Sequence, residues 1–213
     1  MEHSFHMYNK LAADGISMAA DKLLTLPSRR KKEKMRGAGL RSSENTLPFD
    51  ADSLPPVIVC IGSDLAIGDS LGPITGSMLR YKTQGLPYFL YGTLSAPVTA
   101  KEIRYMQTFL KETHPKNRVI AIDAAVGEEG DIGLIKITDS PLLPGAGANK
   151  KLGMIGDISI MGIVAEKSIA NYGLLNTTRL NLVYTMSEII SDGLSALLWE
   201  RCSRQENKRS KNA

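Results

Sequence analysis

Apolar positions along this chain follow two periods. Over residues 8–25, Tyr8, Leu11, Ala12, Ile16, Met18, Ala19, Leu23 and Leu24 recur at loose helical spacing, and Pro27 ends the run. Pro55-Pro56 then introduces Val57-Ile58-Val59-Cys60-Ile61, a short β-branched run bounded by Pro and Gly that predicts a buried strand. A loop over 62–70 follows, and Leu71-Gly72-Pro73 opens a helix to about Lys82. Tyr88 to Tyr91 reads as a second strand. Thr99 with Glu102 three residues on is a capping box for a helix carrying Ile103, Met106, Phe109 and Leu110, which stops near Pro115.

Arg118 to Ile122 predicts a third buried strand ending in Asp123, and Gly133 to Thr138 a shorter, alternating one. Residues 141–153 form a Gly/Pro-rich loop, Ile158 to Val164 a further strand, and Asn176 to about Arg201 a closing helix. In that helix Leu182, Met186, Ile189, Ile190, Leu194 and Leu197 make one stripe. Strands alternating with helices predict an α/β fold in which a parallel or mixed sheet is sandwiched between helices.

The length of 213 residues fits one domain with tails. The expected layout is an N-terminal helix with a basic flexible linker over 1–51, an α/β domain over 52–202, and a polar tail over 203–213. Average hydrophobic and charged content excludes wholesale disorder, collagen and disulfide-scaffold classes, and 6% aromatic residues argues against a base-stacking surface. The net charge of +4 changes meaning once it is located. Residues 1–50 hold nine Lys and Arg against six Asp and Glu, residues 200–213 five against two, and the middle twelve against fourteen. The excess lies in the tails, chiefly Arg29-Arg30-Lys31-Lys32-Glu33-Lys34, and reads as a solvated linker rather than a nucleic-acid surface. Cys60 in an apolar run and Cys202 in a polar tail do not read as a disulfide, which fits a reducing, cytoplasmic compartment. No stretch approaches the ~18 apolar residues of a membrane span.

In open α/β sheets ligands bind beyond the carboxyl ends of strands, at the point where connections reverse direction. That rule selects the loop after the first central strand and the end of the third. Neighbouring strands would bring Asp69 and Asp123 to one cleft, where two close carboxylates hold one proton between them and can activate water. Each has a plainer reading. Asp69 could cap the helix that follows, Asp123 could be satisfied by turn amides, and Asp64 could be a turn residue. Gly68-Asp69-Ser70-Leu71 spells a serine-esterase signature, but no late histidine can activate Ser70, and His114 in Thr-His-Pro reads as a cationic helix cap. The residues show no zinc-ligand spacing, and Gly145-Ala146-Gly147-Ala148-Asn149-Lys150-Lys151 lacks the strand before it and the Lys-Ser/Thr ending of a phosphate cradle. No metal and no cofactor are expected.

Four segments taken in order carry a resemblance. They are Val57 to Asp64 with Gly68-Asp69-Ser70-Leu71-Gly72-Pro73; Ala121-Ile122-Asp123-Ala124; Asp139 to Gly147; and Asn176-Thr177-Thr178-Arg179-Leu180. Over roughly residues 52–200 the chain resembles the YyaC-type sporulation proteins, relatives of the spore germination protease. The resemblance implies a hydrogenase-maturation-protease-like fold and a peptidase using two aspartates, whose roles carry over to Asp69 and Asp123. It further implies a protein or peptide substrate, such as small acid-soluble spore proteins, in the developing spore compartment. Hydrogenase-maturation relatives use a late metal-ligating histidine, which this chain lacks, so nickel recognition does not carry over. The loops holding Gly62, Ser63 and Asp64 and holding Gly145, Gly147 and Asn149 are the expected substrate-binding elements. A non-catalytic sporulation factor binding a peptide or small molecule in the same cleft is the alternative, and self-association stays open. The ordered body is expected to begin near residue 52.

Overall fold

The computed structural model describes residues 1–26, 54–144, 153–167 and 178–212. Six strands form one sheet: β1 (Glu2–His6), β2 (Val57–Cys60), β3 (Phe89–Tyr91), β4 (Val119–Gly127), β5 (Leu134–Thr138) and β6 (Ile158–Glu166), in the order β1-β5-β6-β4-β2-β3. The strands β6, β4, β2 and β3 run parallel, while β5 is antiparallel to β6 and β1 antiparallel to β5. The helices are α1 (Ala12–Thr25), α2 (Leu71–Lys82), α3 (Ile103–Thr113) and α4 (Leu180–Asn212).

Why β2 and β4 read as unbroken apolar runs follows from their burial on both faces. Ile58, Cys60, Ile120, Ile122, Ile158 and Ile160 share a core with Ile16 and Leu23 of α1, Leu71 and Leu79 of α2, and Met186, Ile190 and Leu194 of α4. The alternate residues Val57, Val59, Ile61, Val119 and Ala121 pack against Ile103, Met106 and Leu110 of α3. This is the expected three-layer α/β sandwich with a mixed, mostly parallel sheet.

Three boundaries differ from expectation. The ordered body does not begin near residue 52, because β1 pairs with β5 over its whole length and α1 buries Ile16, Ala20, Leu23 and Leu24 in the main core. The α1–α4 crossing is close. A Cβ on Gly193 would lie 2.6 Å from the Ala13 carbonyl oxygen, so only glycine lets the two backbones approach. Arg118 donates to the carbonyls of Leu26 at 2.6 Å and Leu23 at 3.1 Å, closing the C-terminus of α1, while Arg201 and Arg204 reach Asp21 at 3.1 and 2.7 Å. The basic linker lies outside the described residues.

The polar stretch expected as a tail after Arg201 is helical and continues α4 to Asn212. The third strand also runs past Asp123 to Gly127, because β6 is long enough to pair with it there: Asp123 lies opposite Met161 and Gly127 opposite Glu166. Asp123 is therefore inside a strand and not at its end. Among the described residues no helix is long and apolar enough to cross a membrane.

Candidate functional site

Unequal strand lengths create the site. β2 stops at Cys60, opposite Ile122 of β4, and the Ile61 N–H makes a last 2.7 Å bond to the Ile122 carbonyl. β4 then continues alone on that side while remaining paired to β6 on the other. The chain leaving β2 folds back over the resulting step. Gly62 has φ +136°, and a Cβ there would lie 2.0 Å from the Asp69 carbonyl oxygen, so the turn needs glycine. The Gly62 N–H donates to the Val98 carbonyl at 3.0 Å, the Ser63 N–H to the Asp69 carbonyl at 3.1 Å, and the Leu65 N–H to Ser63 Oγ at 3.1 Å. A 3₁₀ turn over Gly68–Ser70 then passes directly into α2, touching β4 as it does so. The strand-neighbour condition on which the cleft depends is met: β2 and β4 are adjacent, and the loop carrying Asp69 lies against the strand carrying Asp123.

The two carboxylates are unlike. Asp69 is half-buried on the turn, whereas Asp123 is 8% exposed, on the face of β4 that packs toward α3. Asp123 Oδ1 accepts the Ala124 N–H at 2.8 Å. Burial pushes the Asp123 carboxyl well above the usual carboxylate range and the charge of Asp69 pushes it further, with the Ala124 N–H opposing both. Asp123 thus keeps its proton at a pH where carboxylic acids are ordinarily ionised. The step sets the Asp123 carboxyl near enough to Asp69 to feel its charge.

Of the other expected residues, Gly62 is buried in the turn, Ser63 is half-buried with its hydroxyl engaged, and Asp64 is exposed at the loop tip. Gly145, Gly147 and Asn149 lie outside the described residues. Ser70 is buried, and its hydroxyl donates to the Ile67 carbonyl at 2.6 Å. His114 is corrected from a cationic cap. Its ring is buried between Phe89, at 4.4 Å centroid separation, and the Tyr91 hydroxyl, 2.7 Å from Nε2, and burial holds its pKa below the ordinary histidine value. Cys60 is fully buried, and burial drives its thiol far up, so it packs without reacting. Among the described residues no three His, Cys, Asp or Glu side chains gather as a metal site would need.

Two contributors to the site escaped the sequence. Val98, in the connection after β3, bridges Ile61 and receives the Gly62 N–H. Ala124 supplies a hydrogen bond to the Asp123 carboxylate. A small apolar residue carries no signal for such a role, since the donor is its backbone. Two clefts of about 660 Å³ each lie elsewhere, one at the amino end of β4 beside Lys111, Arg118 and Asp157, the other along β3 beside Tyr88 and Tyr91. Neither cleft holds Asp69 or Asp123, and cleft size alone marks neither as a site.

The sequence profile of a family described as "Protein of unknown function (DUF1256)" matches residues 43–193, a span holding both aspartates. The Uncharacterized protein YyaC of Bacillus subtilis (strain 168) is 43% identical over 141 residues, spanning 66% of this chain and 68% of that protein. The likeness to YyaC-type proteins is thereby met by a similarity that extends over 141 residues. The crystal structure of a [NiFe] hydrogenase maturation protease, HycI from Thermococcus kodakarensis KOD1, aligns with 64% of this chain and 92% of its own at 20% identity, with a TM-score of 0.31.

Proposed function

The chain belongs to the DUF1256 family, and we propose that it is a peptidase in which Asp69 and Asp123 share one proton and activate water against a peptide carbonyl. What supports this reading is the placement of a buried Asp123 on β4 beside the turn that carries the half-buried Asp69, whose charge raises the Asp123 carboxyl. Asp69 takes a proton from the attacking water as its oxygen adds to the carbonyl carbon, and Asp123 gives its proton to the carbonyl oxygen. When the C–N bond breaks, the proton held by Asp69 goes to the leaving amine and the tetrahedral hydroxyl returns its proton to Asp123, so the pair ends as it began. The substrates that go with the motif resemblance are small acid-soluble spore proteins in the developing spore.

The test is cleavage of a purified small acid-soluble spore protein by wild type, Asp69→Asn, Asp123→Asn and Ser70→Ala. Each Asn variant is expected to lose at least ~100-fold in rate, the scale of a missing general acid or base, while Ser70→Ala keeps its activity. Loss confined to Ser70→Ala would replace the aspartate pair by a nucleophilic mechanism. An inert wild type would leave a binding protein as the better reading.

A further inference from the structure

The continuation of β4 past β2 leaves more than room for two carboxylates. In a parallel sheet the N–H and C=O of one residue point to the same side, and successive residues alternate. Ile122 points toward β2, because its carbonyl accepts the Ile61 N–H, and Gly127 points toward β6, because its carbonyl accepts the Lys167 N–H at 2.7 Å. The irregularity between Ala125 and Val126 skips Val164 on β6 and leaves the alternation of β4 intact. Ala124 and Val126 therefore turn their backbone groups to the side that β2 has vacated. The Ala124 N–H is taken by Asp123. Although the Gly68–Ser70 turn touches β4 on its way into α2, the Ala124 carbonyl and both backbone groups of Val126 meet no strand there among the described residues, and Ala124 to Gly127 are partly exposed where Val119 to Asp123 are buried.

An unpaired edge of this kind is a template for another backbone. We infer that the edge of β4 formed by Ala124 and Val126 binds an extended, unfolded stretch of polypeptide as an added strand in line with β2. The inference rests on the peptidase reading and gives that site its substrate class, unfolded chain rather than folded protein. A strand laid there passes directly beside Asp123, so recognition by main-chain bonds also brings successive peptide groups to the carboxylates. Because those bonds ignore side chains, binding is tolerant of sequence.

The probe is reduced, carboxymethylated lactalbumin added to the Asp69→Asn variant, which leaves β4 untouched and stops turnover. The expected result is a shift of the Val126 amide signal in NMR spectra and slowed hydrogen exchange of that amide, a readout that needs no substitution in β4. Val126→Pro removes the N–H facing the vacated side and keeps the ladder to β6, so it should fold and bind at least about tenfold more weakly. Ala125→Pro, which breaks that ladder, marks what structural damage looks like. Protection at Leu90 on the outer edge of β3 in place of Val126, undiminished binding by Val126→Pro, or no binding at all overturns the inference. Binding at Val126 without cleavage by wild type keeps the site and overturns the peptidase, whereas cleavage that survives Val126→Pro does the reverse.

Discussion

Two sheltered aspartates, one beside the amino end of β4 and one at its middle, each accept a backbone N–H from that strand. At the amino end Asp157 takes the Val119 N–H at 3.0 Å, and at the middle, where β2 stops, Asp123 takes the Ala124 N–H at 2.8 Å. Their charge environments are opposite. Asp157 has the Arg118 guanidinium, with Nε at 4.0 Å, and that guanidinium also closes α1 through the carbonyls of Leu23 and Leu26. Asp123 has the like charge of Asp69. A carboxylate that serves the fold is given a cation. One set beside another carboxylate retains a proton, costs the fold some stability, and is the arrangement that acid–base chemistry uses.

The largest effect that would sharpen this contrast is on turnover. Asp123→Asn should abolish hydrolysis, and Asp157→Asn should leave the rate per folded molecule unchanged, as read from cleavage assays normalised to the folded fraction. Equal losses would erase the distinction between the two aspartates. The next effect is on stability. Arg118→Ala removes two bonds to α1 and leaves Asp157 sheltered without its cation, so urea unfolding should show a loss of about 2–3 kcal/mol, somewhat below a fully buried pair because the contact is long. A loss below ~0.5 kcal/mol would make the amino end no more structural than an exposed ion pair.

The same contrast explains what the sequence disclosed. β2 and the first half of β4 were legible because burial on both faces leaves continuous apolar runs, and α2, β3 and α3 because Pro, Gly and a capping pair punctuate them. Asp69 was singled out by its place after a parallel strand, and Asp123 by the same rule although it lies inside β4. Three features were not legible. β1, Glu-His-Ser-Phe-His, is a mostly polar edge strand, and what holds it is a pairing with residues more than a hundred positions away. The second half of β4, Ala124-Ala125-Val126-Gly127, is short and small, so its strand character comes from β6 and not from its own composition. The end of α4 has no apolar stripe to announce it. The edge of β4 that meets no strand among the described residues was illegible for the same reason, since it depends on where another strand stops.

The smallest effect is a sign, and it discriminates most sharply between the two aspartates. In the unfolded chain Asp123 titrates in the ordinary carboxylate range, near ~3.9. In the folded protein burial, and then the charge of Asp69, hold its proton to higher pH. Between those two values the folded state binds more protons than the unfolded state, so the contribution of Asp123 to stability is greatest below the ordinary range and is lost as pH rises through the folded value. Asparagine has no proton to lose. Asp123→Asn should therefore be more stable than wild type at neutral pH, with the gain shrinking as pH falls toward ~4, whereas Asp157→Asn should be less stable than wild type at neutral pH because Arg118 loses its anion. Urea midpoints of the three proteins across that range decide the matter. If Asp123→Asn is the less stable at every pH, then Asp123 is ionised and satisfied in the fold, and a shared proton at the step is excluded.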